Sequence, residues 1–124
     1  MKKFYSVISL LFLVLFLLLS CNKSSSDWVE YKNENGYVIS YKKVSIDKDD
    51  IVKAWGKTVN PDKTVDNVLW EVDCRGHRDK ILSTVKNDKD GKIIFSQDFS
   101  EDNWSYIVPD SNTSPNIIQK KFCP

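Results

Sequence analysis

Apolar and polar positions alternate through most of the chain after residue 27, and the clearest case is Leu69-Trp70-Glu71-Val72-Asp73-Cys74-Arg75. Val68, Trp70, Val72 and Cys74 recur at every second position, with Asn67, Glu71 and Asp73 between them. That period predicts a strand with one buried face and puts the Cys74 thiol on the core side. Trp28 to Tyr31 is a short strand by the same reasoning. Asn33-Glu34-Asn35-Gly36 follows, and Asn-Gly predicts a hairpin because both residues tolerate positive φ. Tyr37, Ile39 and Tyr41 then alternate with Val38 and Ser40 in a second strand paired antiparallel to the first. Ile51 to Lys57 is a third, with Trp55 expected to be its main packing group. Asn60-Pro61-Asp62 is turn chemistry ahead of the Trp70 strand.

Beyond the tight turn Arg75-Gly76-His77, Lys80 to Val85 makes a fifth strand and Ile93 to Phe99 a sixth, linked through Asn87-Asp88-Lys89-Asp90-Gly91. Trp104 to Pro109 is extended. A short helix closes the chain: Ser114 is the expected N-cap, with Ser111 an alternative, and Pro115 suits the first turn. Ile118 and Phe122 share a face with Ile117 beside them, and Lys120 and Lys121 sit where the helix dipole favours cations. The pattern predicts an α+β, mainly β domain: about six antiparallel strands in one sheet, then a short C-terminal helix.

The start of the chain has a different pattern. Lys2 and Lys3 precede an apolar run, Ile8 to Leu19, broken only by Ser9, which is the arrangement of a secretory leader. The run ends at Leu18-Leu19-Ser20-Cys21, which resembles the bacterial lipoprotein signal: a small residue before a cysteine that becomes the acylated first residue. An uncleaved membrane anchor is the alternative, although Phe4 to Leu19 is only 16 residues, short for a bilayer span. Residues 1–20 therefore read as a signal peptide, 21–26 as the lipidated Cys21 and a serine-rich tether, and 27–124 as the domain. Two or more acyl chains would hold it stably on a membrane. Asn22 does not resemble the aspartate signal that retains lipoproteins at an inner membrane, so the expected address is the cell envelope, at the outer membrane where there are two.

Charge adds an exclusion. Two of the 18 lysines and arginines lie in the leader, leaving 16 against 17 acidic residues, which offers no basic field for nucleic acid. The cysteines add a constraint. With Cys21 lipid-modified, Cys74 and Cys123 remain in an oxidising compartment, and their pairing is expected to pin the helix to the sheet. A metal site or a catalytic thiol with His77 is the functional alternative, but one histidine and two cysteines lack zinc-site spacing and no orienting partner for a triad is evident. The acidic groups Asp47, Asp49, Asp50 and Asp88, Asp90 do not complete a calcium loop and read as turns. No paired carboxylates, nucleophile elbow, phosphate loop or HExxH stretch stands out, so no catalytic, cofactor or metal residues are expected.

Several pieces of the chain together resemble one known family. They are Trp28-Val29-Glu30-Tyr31, Lys53-Ala54-Trp55, Glu71-Val72-Asp73-Cys74 with Arg78, Lys80-Ile81-Leu82, Asp90-Gly91-Lys92-Ile93-Ile94, Trp104 through Ile107-Val108-Pro109 to Ser111, and Cys123. Their order and spacing are similar to the surface-adhesin protein E family, over about Trp28 to Cys123. The resemblance implies an antiparallel sheet with a C-terminal helix tethered by a disulfide, on an outer-membrane lipoprotein that dimerises and binds host matrix or plasma proteins. Where the family usually has a glycine after the proline, this chain has Asp110. The resemblance rests on residues a fold needs to close and does not carry over a ligand site. Exposed aromatics are therefore the binding candidates, and Tyr37, Tyr41, Trp104 and Tyr106 are the expected ones. The expected function is a lipid-anchored protein-binding module; a periplasm-facing structural or assembly lipoprotein, or an inhibitor of a cell-wall hydrolase, is the alternative.

Overall fold

A computed structural model describes residues 27–100 and 102–124; the expectations for the leader, Cys21 and the tether lie outside them. Seven antiparallel strands form one sheet: β1 (Val29–Glu34), β2 (Tyr37–Ile46), β3 (Ile51–Val59), β4 (Val65–Asp73), β5 (Arg78–Asn87), β6 (Ile93–Asp98) and the two-residue β7 (Ser105–Tyr106). The first six lie side by side in chain order, and β7 joins β5 beside the end of β6. Helix α1 (Ser114–Phe122) lies across β3 and β4. The six expected strands and the helix are all present, with β2 and β5 longer than the alternation alone indicated.

Local chemistry explains the turns. Asn35 and Gly36 take φ of +54° and +80°, the left-handed pair a two-residue hairpin requires. The acidic connections close by side-chain caps. Asp47 Oδ1 accepts the amides of Asp49 (2.8 Å) and Ile51 (3.0 Å), and Asp88 Oδ1 accepts those of Asp90 and Lys92 (both 2.9 Å). Asp110 takes φ of +56°, a conformation glycine enters at less cost.

Cross-strand pairing shows which side chains share the buried face. Tyr41 pairs with Gly56, Ala54 with Trp70, and Val52 with Val72. The core is Tyr41, Val52, Ala54 and Val72 from the sheet, Ile117 and Ile118 from α1, and Ile107 from the segment entering it. Fully burying a side chain of this kind stabilises by about 1.5 to 3 kcal/mol. Two expectations are corrected here. Trp55 pairs with Lys42 and Leu69 on the opposite face, and Val52 and Ala54 supply the packing of β3 instead. Tyr41 is 2% exposed, not a surface aromatic: its ring lies over Gly56, where the missing side chain leaves it room.

The helix is held at several points. Cys74, just past β4, is bonded to Cys123 at the helix end, 49 positions on in sequence, with their Cα atoms 5.8 Å apart. Ile117 and Ile118 pack on the core. The Tyr41 hydroxyl hydrogen-bonds the Ser114 hydroxyl at 2.9 Å. Ser114 is the first helical residue rather than the N-cap: the cap is Thr113, in extended conformation, whose carbonyl accepts the Ile117 amide. Pro115 stands in the first turn, and Lys120 and Lys121 in the last, as the sequence indicates.

The turn after Cys74 ties neighbouring segments together. Asp73 accepts the Gly76 amide and Arg78 Nε, both at 2.9 Å, and the Cys74 amide reaches the Asp50 carbonyl at 3.1 Å. A Cβ at Gly76 would strike the Asp73 carboxylate, so a larger residue there would have to displace the side chain that makes these bonds. The Gly76 amide first, then Arg78, hold the Asp73 carboxyl below its ordinary range against the opposing effect of burial. A lowered folded-state pKa means that this contribution is present above the unfolded-state value and is lost as pH falls through the folded-state one. Asp73→Asn should therefore cost about 1 to 3 kcal/mol at pH 7. In urea titrations across pH, the gap between the two proteins should close on acidification; a gap constant down to acid pH would show that the Asp73 charge contributes nothing.

Candidate binding site

The four aromatic candidates do not form one patch. Tyr41 is in the core, Tyr37 (47% exposed) is at the β1–β2 hairpin, and Tyr106 (70% exposed) is on β7 at the far side of the sheet. Trp104 is half-buried, with the Arg78 guanidinium 4.5 Å and the Lys80 ammonium 4.6 Å from its ring centre. Lys80 also donates to Asp102 at 2.9 Å, and that contact chiefly holds the Asp102 carboxyl below its ordinary range. Trp104 is thus committed to bracing the loop between β6 and β7.

His77 sits at the other end of that region with φ of +49°. Its carbonyl accepts the Ile107 amide, and Gln119 donates to its Nδ1 at 2.6 Å, so the ring links the β4–β5 turn to α1. Among the described residues no three histidine, cysteine or acidic side chains are grouped to hold a metal ion.

The most distinctive surface is at the free edge. Both outer strands are exposed throughout, yet they differ in chemistry. β1 carries Glu30, Lys32 and Glu34, with Lys32 paired to Glu34, the kind of charge that deters a further strand. β6 begins Ile93-Ile94-Phe95, each more than half exposed. A bulge at Ile94 interrupts the ladder there and leaves Phe95 to Asp98 in register with β5. Beyond β6 no strand follows among the described residues, so its outer backbone groups and three large apolar side chains are available together.

Where β6 ends, the edge forks. The Phe99 amide bonds to the carbonyl of Leu82, the bulged residue of β5, and the chain then swings away until Ser105 pairs with Asp79. The fork encloses an open hollow of about 560 Å³. Trp70, Ile81 and Phe99 supply apolar walls, and Asp79 lines it from β5. Asp79 pairs with Val72 and Ile81 with Trp70, so the hollow continues the core face of the sheet beyond the reach of α1. The Asp79 side chain is half-buried and meets no hydrogen-bond donor or cation among the described residues, and burial alone raises its pKa.

Sequence reasoning passed over Asp79 and the apolar start of β6. The second had a signal, since Ile93-Ile94-Phe95 breaks the alternation seen in the other strands; the first had none, because only the fork makes Asp79 special. Compared with family models, with curated proteins and with solved structures, the chain returns no match in any of the three.

An uncompensated, half-buried carboxylate opposes folding while it is ionised. Asp79→Asn should leave the melting temperature at pH 7 unchanged or raise it, as read by circular dichroism. A clear fall would mean that Asp79 has a structural partner.

Proposed function

We propose that this chain is a lipid-anchored protein of the bacterial cell envelope, similar to the surface-adhesin protein E family, whose domain binds another protein along the free edge of its sheet. The observation that carries the reading is the pairing of an open, apolar edge strand, β6, with a chain that otherwise guards its opposite edge with charge. An extended segment of a partner can add to such an edge through main-chain hydrogen bonds, with alternate side chains supplying selectivity. Ser20-Cys21 at the end of the apolar leader supports the anchor, and the resemblance supports a matrix or plasma protein as the class of partner. The disulfide-tethered helix is the arrangement that the resemblance implies.

The reading makes a two-part prediction. Protease added to intact cells should cleave the domain, and the full-length protein in detergent should be captured by one or more members of an array of purified matrix and plasma proteins. Phe95→Glu, which places a charge on an exposed side chain, should change stability by no more than about 0.5 kcal/mol and cut capture at least tenfold. A domain untouched until the envelope is opened, or capture unaltered by Phe95→Glu, would contradict it.

A further inference from the structure

The hollow at the fork has an unusual balance of groups. Its lining is mixed: Trp70, Ile81 and Phe99 give it apolar patches among polar residues, the acidic residues in it are Asp79 and Asp98, and the cation that lines it among the described residues, Lys80, is already engaged by Asp102 and by the Trp104 ring. An anion entering it would meet the like charge of Asp79 with no free cation among the described lining residues to offset it. A purely apolar ligand would bury Asp79 further without giving it a partner, which costs more than leaving it hydrated. Metal binding lacks the ligands, since the described residues group no three suitable side chains there. What completes the hollow is a cation on an apolar stem: the head meets Asp79, and the stem lies against Trp70, Ile81 and Phe99. The raised proton affinity of Asp79 is the same demand seen from the carboxylate side.

Position selects the source of that cation. The hollow opens where β6 ends, and Gln97 and Asp98 of that strand are part of its lining. A segment paired along Phe95 to Asp98 would deliver its next side chain to the mouth of the hollow. A free amine would gain nothing from the edge. We infer that the Asp79 hollow is the specificity pocket of the β6 edge and takes a lysine or arginine side chain from an extended segment of the partner protein. This inference rests on the protein-binding reading above and names the chemistry it selects.

Calorimetry on the full-length protein in detergent tests it with three probes: acetyl-Thr-Val-Lys-Val-Thr-amide, the same peptide with norleucine for lysine, and butylammonium chloride. The lysine peptide should bind. The norleucine peptide should bind at least about tenfold more weakly, as should the lysine peptide to Asp79→Asn, the loss expected for one charge-assisted hydrogen bond. Butylammonium should bind more weakly than the lysine peptide, and Phe95→Glu should weaken the peptide and leave butylammonium unchanged. Equal binding of the lysine and norleucine peptides, or of the lysine peptide to Asp79→Asn and the native protein, would overturn the pocket. Butylammonium binding as tightly as the peptide would overturn the polypeptide source. If Phe95→Glu abolishes protein capture while Asp79→Asn does not and the lysine peptide is not bound, the pocket fails and the edge-binding reading stands. If the lysine peptide binds as described but no matrix or plasma protein is captured, the pocket stands and the host-protein reading fails.

Discussion

The bond between Cys74 and Cys123 is the constraint on which the rest of the architecture depends. A nine-residue helix is too short to persist in water by itself, so α1 exists because something holds it against the sheet. Two isoleucines and one hydroxyl pair do part of that work. Closing 49 residues of chain removes conformations from the unfolded state and stabilises by about 4 kcal/mol in the chain-entropy description. For a domain of about 100 residues, whose whole margin is of the order of 5 to 15 kcal/mol, that is a large share. The core faces this point of attachment: Val52, Ala54 and Val72 are covered by the helix that the disulfide positions, and the Tyr41 hydroxyl meets the first helical residue.

The same constraint decides what is left open. A helix tied at Cys74 lies over β3 and β4, and the core face continues past it onto β5 with no further element among the described residues to cover it. The exposed β6, the fork and the Asp79 hollow are all on the uncovered side. The buried core lies in the middle of the sheet, and the surface proposed to bind lies at one edge. This division lets the edge carry apolar groups and an unpaired carboxylate without loosening the core.

Strong local signals were legible in the chain. The alternation around Trp70 placed β4 and turned Cys74 inward, Asn35-Gly36 marked the first hairpin, and Pro115 with Lys120 and Lys121 marked the ends of the helix. Facing was less legible wherever both faces of a strand carry apolar groups. In β3 the largest residue, Trp55, looked like the packing group, but register to β4 puts the smaller Val52 and Ala54 under the helix. Tyr41 looked like a surface aromatic because its cover comes from Gly56 and from Ser114, 73 positions away. Asp79 was invisible for the same physical reason: its environment depends on where β6 ends and β7 begins, a long-range fact that no local spacing encodes.

Hydrogen exchange on the oxidised and the reduced protein tests the central claim most directly. If the disulfide is what holds α1 in place, reduction should release the amides of Ile117 to Cys123 to near-free exchange while those of β3 and β4 keep most of their protection. Protection of the helix that is unchanged on reduction would contradict the account and assign its docking to Ile117, Ile118 and the Tyr41–Ser114 and His77–Gln119 bonds.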